Sequence, residues 1–74
     1  STFHLSRLFS REFGMSITDT LATIRMERAR ELLADGTMSV KQIAAAVGYS
    51  NSNYFAKVFR RYYGVAPSEF EQEA

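Results

Sequence analysis

Apolar residues recur at helical spacing through the middle of the chain, between two polar boundary signals. Ser16 is followed three residues later by Asp19, which is a capping signature, and Asp35-Gly36 ends the pattern. The apolar positions between these boundaries are Ile17, Leu21, Ile24, Ala29, Leu32 and Leu33. We predict one long linker helix within residues 16–35, of about 18 residues and roughly 27 Å in length at 1.5 Å per residue.

A second pair of helix signals follows at residues 39–63. Ser39 and Gln42 form a capping box, and Gly48 is the expected left-handed C-cap of a short helix. The polar cluster at residues 50–53 then offers N-caps for the next helix. Two short helices joined by a glycine-containing turn predict a complete helix-turn-helix unit.

The second helix of this unit has two chemically different faces. Its apolar positions form one stripe that we predict to be core: Tyr54, Phe55, Val58, Phe59 and Tyr62. The opposite side carries Asn53, Ala56, Lys57 and Arg60, flanked by Ser52 and Arg61. Amides, a hydroxyl and cations around a small alanine suit contacts with base edges and phosphates. A final helix is predicted over 67–73, beginning at Pro67, so we expect an all-α fold.

Composition limits how this chain is stabilised and what chemistry it performs. Its 74 residues make one small domain, and zero cysteines with a single histidine, His4, exclude disulfides and a Cys/His zinc site. We expect no metal and no cofactor. The sequence has no nucleophile-base pair and no phosphate-binding glycine loop, so we do not expect an enzyme. The longest apolar run, residues 43–47, is too short to cross a membrane, and the absence of cysteine is compatible with the cytoplasm.

The net charge of +1 conceals a local asymmetry. Residues 51–64 contain Lys57, Arg60 and Arg61 and no acidic residue, whereas residues 65–74 contain three glutamates and no basic residue. A cationic helix of this kind favours an anionic partner, and we interpret it as a DNA-binding face. The alternative is a helical protein-interaction module whose cations meet an acidic protein. The two differ in the salt dependence of duplex binding.

The chain also contains an internal repeat at an offset of fifty residues. Residues 5–16 align on residues 55–66, and the identical pairs are Phe9/Phe59, Arg11/Arg61 and Gly14/Gly64. We therefore predict another helix of the same type over residues 2–13. Its counterparts of Asn53, Ala56 and Lys57 are Phe3, Ser6 and Arg7. No supporting helix precedes this copy, so we expect residues 1–14 to be a partial first unit within a longer protein.

Five segments carry an ordered pattern across the chain. They are His4-Leu5-Ser6-Arg7-Leu8-Phe9 with Gly14, Ile24-Arg25-Met26-Glu27-Arg28-Ala29 with Leu32-Leu33, Ile43-Ala44 through Val47-Gly48-Tyr49-Ser50, Tyr54-Phe55 through Phe59, and Gly64-Val65-Ala66-Pro67-Ser68-Glu69-Phe70. Together they resemble the DNA-binding domain of AraC/XylS-type bacterial transcription regulators. The resemblance implies two helix-turn-helix units, the first truncated here, joined by a long linker helix, with the second helix of each unit in a major groove.

The resemblance also implies partners and residue roles. The partners are double-stranded promoter DNA and RNA polymerase, with an effector or dimerisation domain outside this chain, and both activation and repression stay open. The base-reading residues would be Phe3, Ser6, Arg7, Ser52, Asn53, Ala56 and Lys57. The phosphate contacts would be Ser1, Thr2, Arg11, Asn51, Arg60 and Arg61. Ala66 departs from the family, which usually has threonine before Pro67.

Two of these assignments have alternatives. Phe3 is either a residue that touches a thymine methyl or an apolar residue left exposed by the missing helix. The charged residues of the long helix are predicted to form a solvated, salt-bridged face, with a DNA contact from Arg25 or Arg28 as the minority interpretation. This face comprises Arg25, Glu27, Arg28, Arg30 and Glu31.

Overall fold

Helices make up the ordered elements of the computed structural model, which describes Gly14 and residues 16–73, the last three (71–73) for their backbone only. They are α1 (Ile17–Asp35), α2 (Val40–Ala46), α3 (Ser52–Tyr63) and α4 (Pro67–Glu73). No strand occurs among these residues, so the expected all-α fold is confirmed. The helix predicted over residues 2–13 lies outside the described residues.

The two ends of α1 are set by local hydrogen bonds. The Oγ of Ser16 accepts a hydrogen bond of 3.0 Å from the backbone N–H of Asp19. At the other end Gly36 adopts a φ of +69°, and its N–H donates to the carbonyl of Leu33 at 3.2 Å. The 19 residues between these caps form a rod roughly 28 Å long.

The C-terminal half of α1 forms one wall of the core, and its N-terminal half does not. The buried side chains of the helix are Met26, Ala29, Leu32 and Leu33. Leu21 and Ile24, two further apolar positions of the helical pattern, are instead 43% and 57% exposed. The buried positions of α1 begin at Met26, and the apolar positions before it are exposed or only partly buried.

Helices α2 and α3 form the predicted helix-turn-helix unit. The capping box at the start of α2 is complete, with the N–H of Gln42 donating to the Oγ of Ser39 at 3.1 Å and the N–H of Ser39 donating to the Oε1 of Gln42 at 2.9 Å. The turn passes through Gly48 at a φ of +98°, and the N–H of Tyr49 donates to the carbonyl of Ala44 at 2.8 Å. These bonds fix the direction in which α3 leaves the turn.

An aromatic cluster at the centre of the core joins α3 to α4. Phe59 is fully buried, and its ring centroid lies 4.7 Å from that of Tyr63 and 5.8 Å from that of Phe70 on α4. Of the aromatic stripe predicted as core, Phe55, Val58 and Phe59 are buried, but Tyr54 is 56% exposed and Tyr62 is 39% exposed. The prediction was wrong for these two tyrosines because the N-terminal half of α1 does not close over them.

Candidate nucleic-acid interface

The exposed face of α3 is the candidate nucleic-acid interface. Asn53, Lys57 and Arg60 are all exposed, and at 100° per residue they fall within an arc of about 60°. The helix contains no acidic residue, so its own side chains do not neutralise these cations. The structure thus brings an amide and two cations onto one solvent-facing surface.

Two small residues border this face on one side, and a third cation borders it on the other. Ser52 and Ala56 are half-buried along one edge, where the alanine methyl permits close approach of another surface. Arg61 is exposed along the other edge. Arg60 and Arg61 lie in the last turn of α3, where cations interact favourably with the helix dipole. The predicted residues of this unit therefore form one continuous strip.

Asn51 has a structural role at the start of this strip. Its Oδ1 accepts hydrogen bonds from the backbone N–H groups of Asn53 at 2.9 Å and Tyr54 at 3.1 Å, which caps α3. Because the oxygen is used in the cap, a phosphate would be met by the Nδ2 amide, which donates. The cap and the predicted phosphate contact are thus compatible within one side chain.

Part of the predicted site belongs to the first unit. Its members are Ser1, Thr2, Phe3, Ser6, Arg7 and Arg11, and they lie outside the described residues. The described half of the site comes from one helix and its cap.

A groove beside the strip was not anticipated from the sequence. It has a volume of about 690 Å³ and lies between the N-terminal half of α1 and α3. Exposed Tyr54 and Tyr62 line its α3 side, and the hydroxyl of Tyr62 donates to the carbonyl of Asp19 on α1 at 3.5 Å. Leu21 and Arg25 line the opposite side. The signal available in the sequence was the width of the aromatic stripe, which covers about 140° of the helix surface and exceeds the roughly 100° of a minimal core-facing stripe.

Arg25 also departs from its prediction as a solvated, salt-bridged residue. Its side chain is half-buried, with the guanidinium carbon 5.4 Å from the centre of the Tyr49 ring. The guanidinium also lies 3.2 Å from the position that a Cβ on Gly48 would occupy. Arg25 therefore packs on the turn of the helix-turn-helix unit.

Two other arginines of α1 make different contacts. Arg28 donates to the Oε2 of Glu31 at 3.0 Å, which is the surface pair that the sequence predicts. Arg30 instead lies over the Tyr63 ring, 5.4 Å from its centre. Burial raises the pKa of Tyr63, an effect that the charge of Arg30 opposes in part.

The described residues offer few other kinds of site. Among them, no group of three histidine, cysteine, aspartate or glutamate side chains is placed to hold a metal ion. None of the described helices is long and apolar enough to cross a membrane. Every buried side-chain nitrogen or oxygen in this part of the chain has a hydrogen-bond partner.

Known proteins match this chain over nearly its whole length. A family described as "Helix-turn-helix domain" matches residues 1–73. The Msm operon regulatory protein of Streptococcus mutans is 34% identical over 73 residues, which make up 99% of this chain and 26% of that protein. The chain therefore spans about a quarter of the length of this relative.

Two solved structures of regulatory proteins also match the chain. The C-terminal domain of AraT, a response regulator from Geobacillus stearothermophilus, matches with a TM-score of 0.95 at 36% identity, covering 100% of this chain and 61% of that one. A DNA-binding transcriptional dual regulator from Escherichia coli K-12 matches with a TM-score of 0.82 at 38% identity, covering 85% of this chain and 57% of that one. The helix-turn-helix geometry, the ordered motifs and these matches agree, and the chain belongs to the helix-turn-helix family of AraC/XylS-type DNA-binding domains.

Proposed function

We propose that this chain is the sequence-specific, double-stranded-DNA-binding domain of a bacterial transcription regulator. The observation that carries the proposal is the exposed, acid-free strip on α3, the second helix of a helix-turn-helix unit. Family membership and a solved relative described as a DNA-binding transcriptional regulator support it. The chain's role is binding rather than catalysis.

Within α3 we assign two kinds of contact. Side chains near the helix N-terminus read base edges, because the N-terminal part of a recognition helix enters the major groove. These are Ser52, Asn53, Ala56 and Lys57. The two cations near the C-terminus of the helix and the polar N-cap residue contact phosphates. Such contacts position the helix but do not read the base sequence. The residues assigned to them are Asn51, Arg60 and Arg61.

The first unit supplies the second set of contacts in this proposal. Phe3, Ser6 and Arg7 read bases, and Ser1, Thr2 and Arg11 contact phosphates. Helix α1 links the two units with a rod of roughly 28 Å, which approaches the separation of about 34 Å between successive major grooves on one side of B-DNA. The domain therefore reads two adjacent major grooves.

The remainder of the protein has roles that this domain does not supply. The chain covers about a quarter of the Msm operon regulatory protein. By analogy, we place an effector or dimerisation domain in a part of this protein outside the chain. Promoter DNA and RNA polymerase in the cytoplasm are the expected partners.

Salt dependence tests the proposal against a protein-interaction module. Binding of the full-length protein to a duplex should weaken steeply with salt, because each neutralised phosphate contributes about −0.9 to the slope of log affinity against log salt concentration. The two cations of α3 assigned to phosphates, Arg60 and Arg61, alone account for a slope of about −2. Selection from a random duplex library should then recover a defined sequence. A flat salt response without sequence selection would instead support the protein-interaction module.

A further inference from the structure

Arg25 connects the linker helix α1 directly to the turn before α3. Its guanidinium carbon faces the Tyr49 ring at 5.4 Å, and its Cζ, Nη2 and Nε atoms come within 3.2–3.3 Å of the Cβ position on Gly48. A Cβ at position 48 would therefore require the guanidinium to shift by a few tenths of an ångström. The absence of a side chain there is what allows the Arg25 guanidinium to approach the turn so closely.

The Tyr49 ring continues this contact into the first turn of α3. Its centroid lies 6.0 Å from that of Tyr54 and 5.7 Å from that of Phe55. Phe55 is fully buried, and Tyr54 is the immediate neighbour of Asn53, the amide of the exposed strip. Because packed interiors transmit displacement, the position of the Tyr49 ring influences the N-terminal turn of α3.

From these contacts, and resting on the proposed function, we infer that Arg25 is a positioning residue for base reading. It fixes the turn, and with it the N-terminal end of α3, relative to α1, and it does so without touching DNA. Arginine suits the role because its planar guanidinium stacks on an aromatic ring, which a lysine ammonium does not reproduce. Arg28 is the natural comparison, since it is 62% exposed and pairs with Glu31 on its own helix.

The test compares Arg25→Met and Arg25→Lys with the control Arg28→Met in the full-length protein. The probes are a duplex that the wild-type protein selects from a random library, the same duplex altered at the base pairs whose preference Asn53→Ala relaxes, and an unrelated duplex. Binding is titrated by fluorescence anisotropy at several salt concentrations, at a temperature where circular dichroism shows every variant folded.

Both Arg25 variants should lose about threefold to thirtyfold in preference for the selected duplex over the altered one. Affinity for the unrelated duplex and the salt slope should stay at the wild-type values, and Arg28→Met should keep the wild-type preference. A salt slope lowered by about one in Arg25→Met and restored in Arg25→Lys would overturn the inference, because it would show a direct phosphate contact.

A second variant covers the possibility that Arg25→Met fails to fold. Tyr49→Leu removes the ring and keeps Arg25, and it should produce a similar loss of preference. Where both variants fold, the double variant should lose no more than the larger single loss, since both act through one contact. Additive losses, or wild-type preference in the variants that fold, would overturn the inference. If the wild-type protein selects no duplex, the proposed function itself fails, which is a distinguishable result.

Discussion

At the scale of single residues, Gly48 shows how one position satisfies a backbone constraint and a contact constraint together. Its φ of +98° is strained for any residue with a Cβ, and an added Cβ would meet the Arg25 guanidinium at 3.2 Å. We expect Gly48→Ala to lower the free energy of unfolding by about 2 to 3 kcal/mol, measured by urea denaturation.

Gly36 provides the matched control for this substitution. It also has a positive φ, +69°, but a Cβ there would meet nothing within 4 Å. Gly36→Ala should therefore cost only the backbone strain, about 1 to 2 kcal/mol. Equal losses for the two substitutions would mean that the guanidinium moves aside without cost.

The residues of the exposed strip should affect DNA binding in two different ways. Replacing Asn53 or Lys57 by alanine should cost about 1 to 3 kcal/mol of binding free energy and relax preference at particular base pairs. Arg60→Ala should weaken binding to all duplexes alike and reduce the salt slope by about one, because a phosphate contact carries no sequence information. Competition titrations with single-base-pair variants measure both effects.

The reverse result would be informative about the geometry of α3. If Arg60→Ala altered base preference and Asn53→Ala did not, the helix would enter the groove by its C-terminal end. The roles assigned along the strip would then have to be exchanged.

At the scale of elements, α3 carries aromatic residues of two kinds. Phe59 is fully buried between Tyr63 and Phe70, so Phe59→Ala should cost about 3 to 5 kcal/mol of the free energy of unfolding. Tyr62, on the same helix, is 39% exposed, and Tyr62→Ala should cost about 1 kcal/mol. Thermal or urea denaturation of the two variants checks the difference, and similar losses would place Tyr62 in the core after all.

The ends of the elements were predictable because they depend on nearby residues. Ser16 caps α1 through the N–H of Asp19, and Ser39 and Gln42 cap α2 reciprocally, all within three residues along the chain. Asn51 likewise caps α3 from the polar cluster that the sequence shows. Capping hydrogen bonds between residues this close in the sequence do not depend on the tertiary arrangement, so the sequence alone predicts them.

The margins of the core and the environment of Arg25 were not predictable in the same way. Whether Tyr54 or Leu21 is buried depends on how far α1 and α3 diverge, which no short pattern encodes. Arg25 had the spacing of a surface residue, and only the approach of the turn gave it Gly48 and Tyr49 as neighbours. In the candidate site, exposure of Asn53 and Lys57 followed from periodicity, whereas the groove beside them required the tertiary arrangement.

At the scale of the whole molecule, the length of α1 sets the spacing of the two proposed reading units. The full-length protein should protect two short base-pair clusters about 10 to 10.5 base pairs apart on one face of the duplex. Inserting five base pairs between the clusters turns one of them to the far side, and tight binding should then be lost. Footprinting and titration of the two duplexes measure this.

A control duplex with ten inserted base pairs restores the face of the second cluster but not its distance. If α1 is a rigid rod, the domain should not bind this duplex tightly. If the connection between the two units is flexible, the domain should partly recover its affinity. Unchanged affinity after the five-base-pair insertion would show that the unit of α2 and α3 does all the reading.

The amide that caps α3 places thermal stability and ligand affinity in opposition at one position. An aspartate would cap the helix about as well as Asn51 and would interact more favourably with the positive end of the helix dipole. It would also replace an amide donor by a negative charge at the edge of a surface proposed to meet phosphates. Laboratory evolution that selects for thermal stability alone would therefore favour Asn51→Asp. The more stable protein would bind DNA less tightly and would be a less effective regulator.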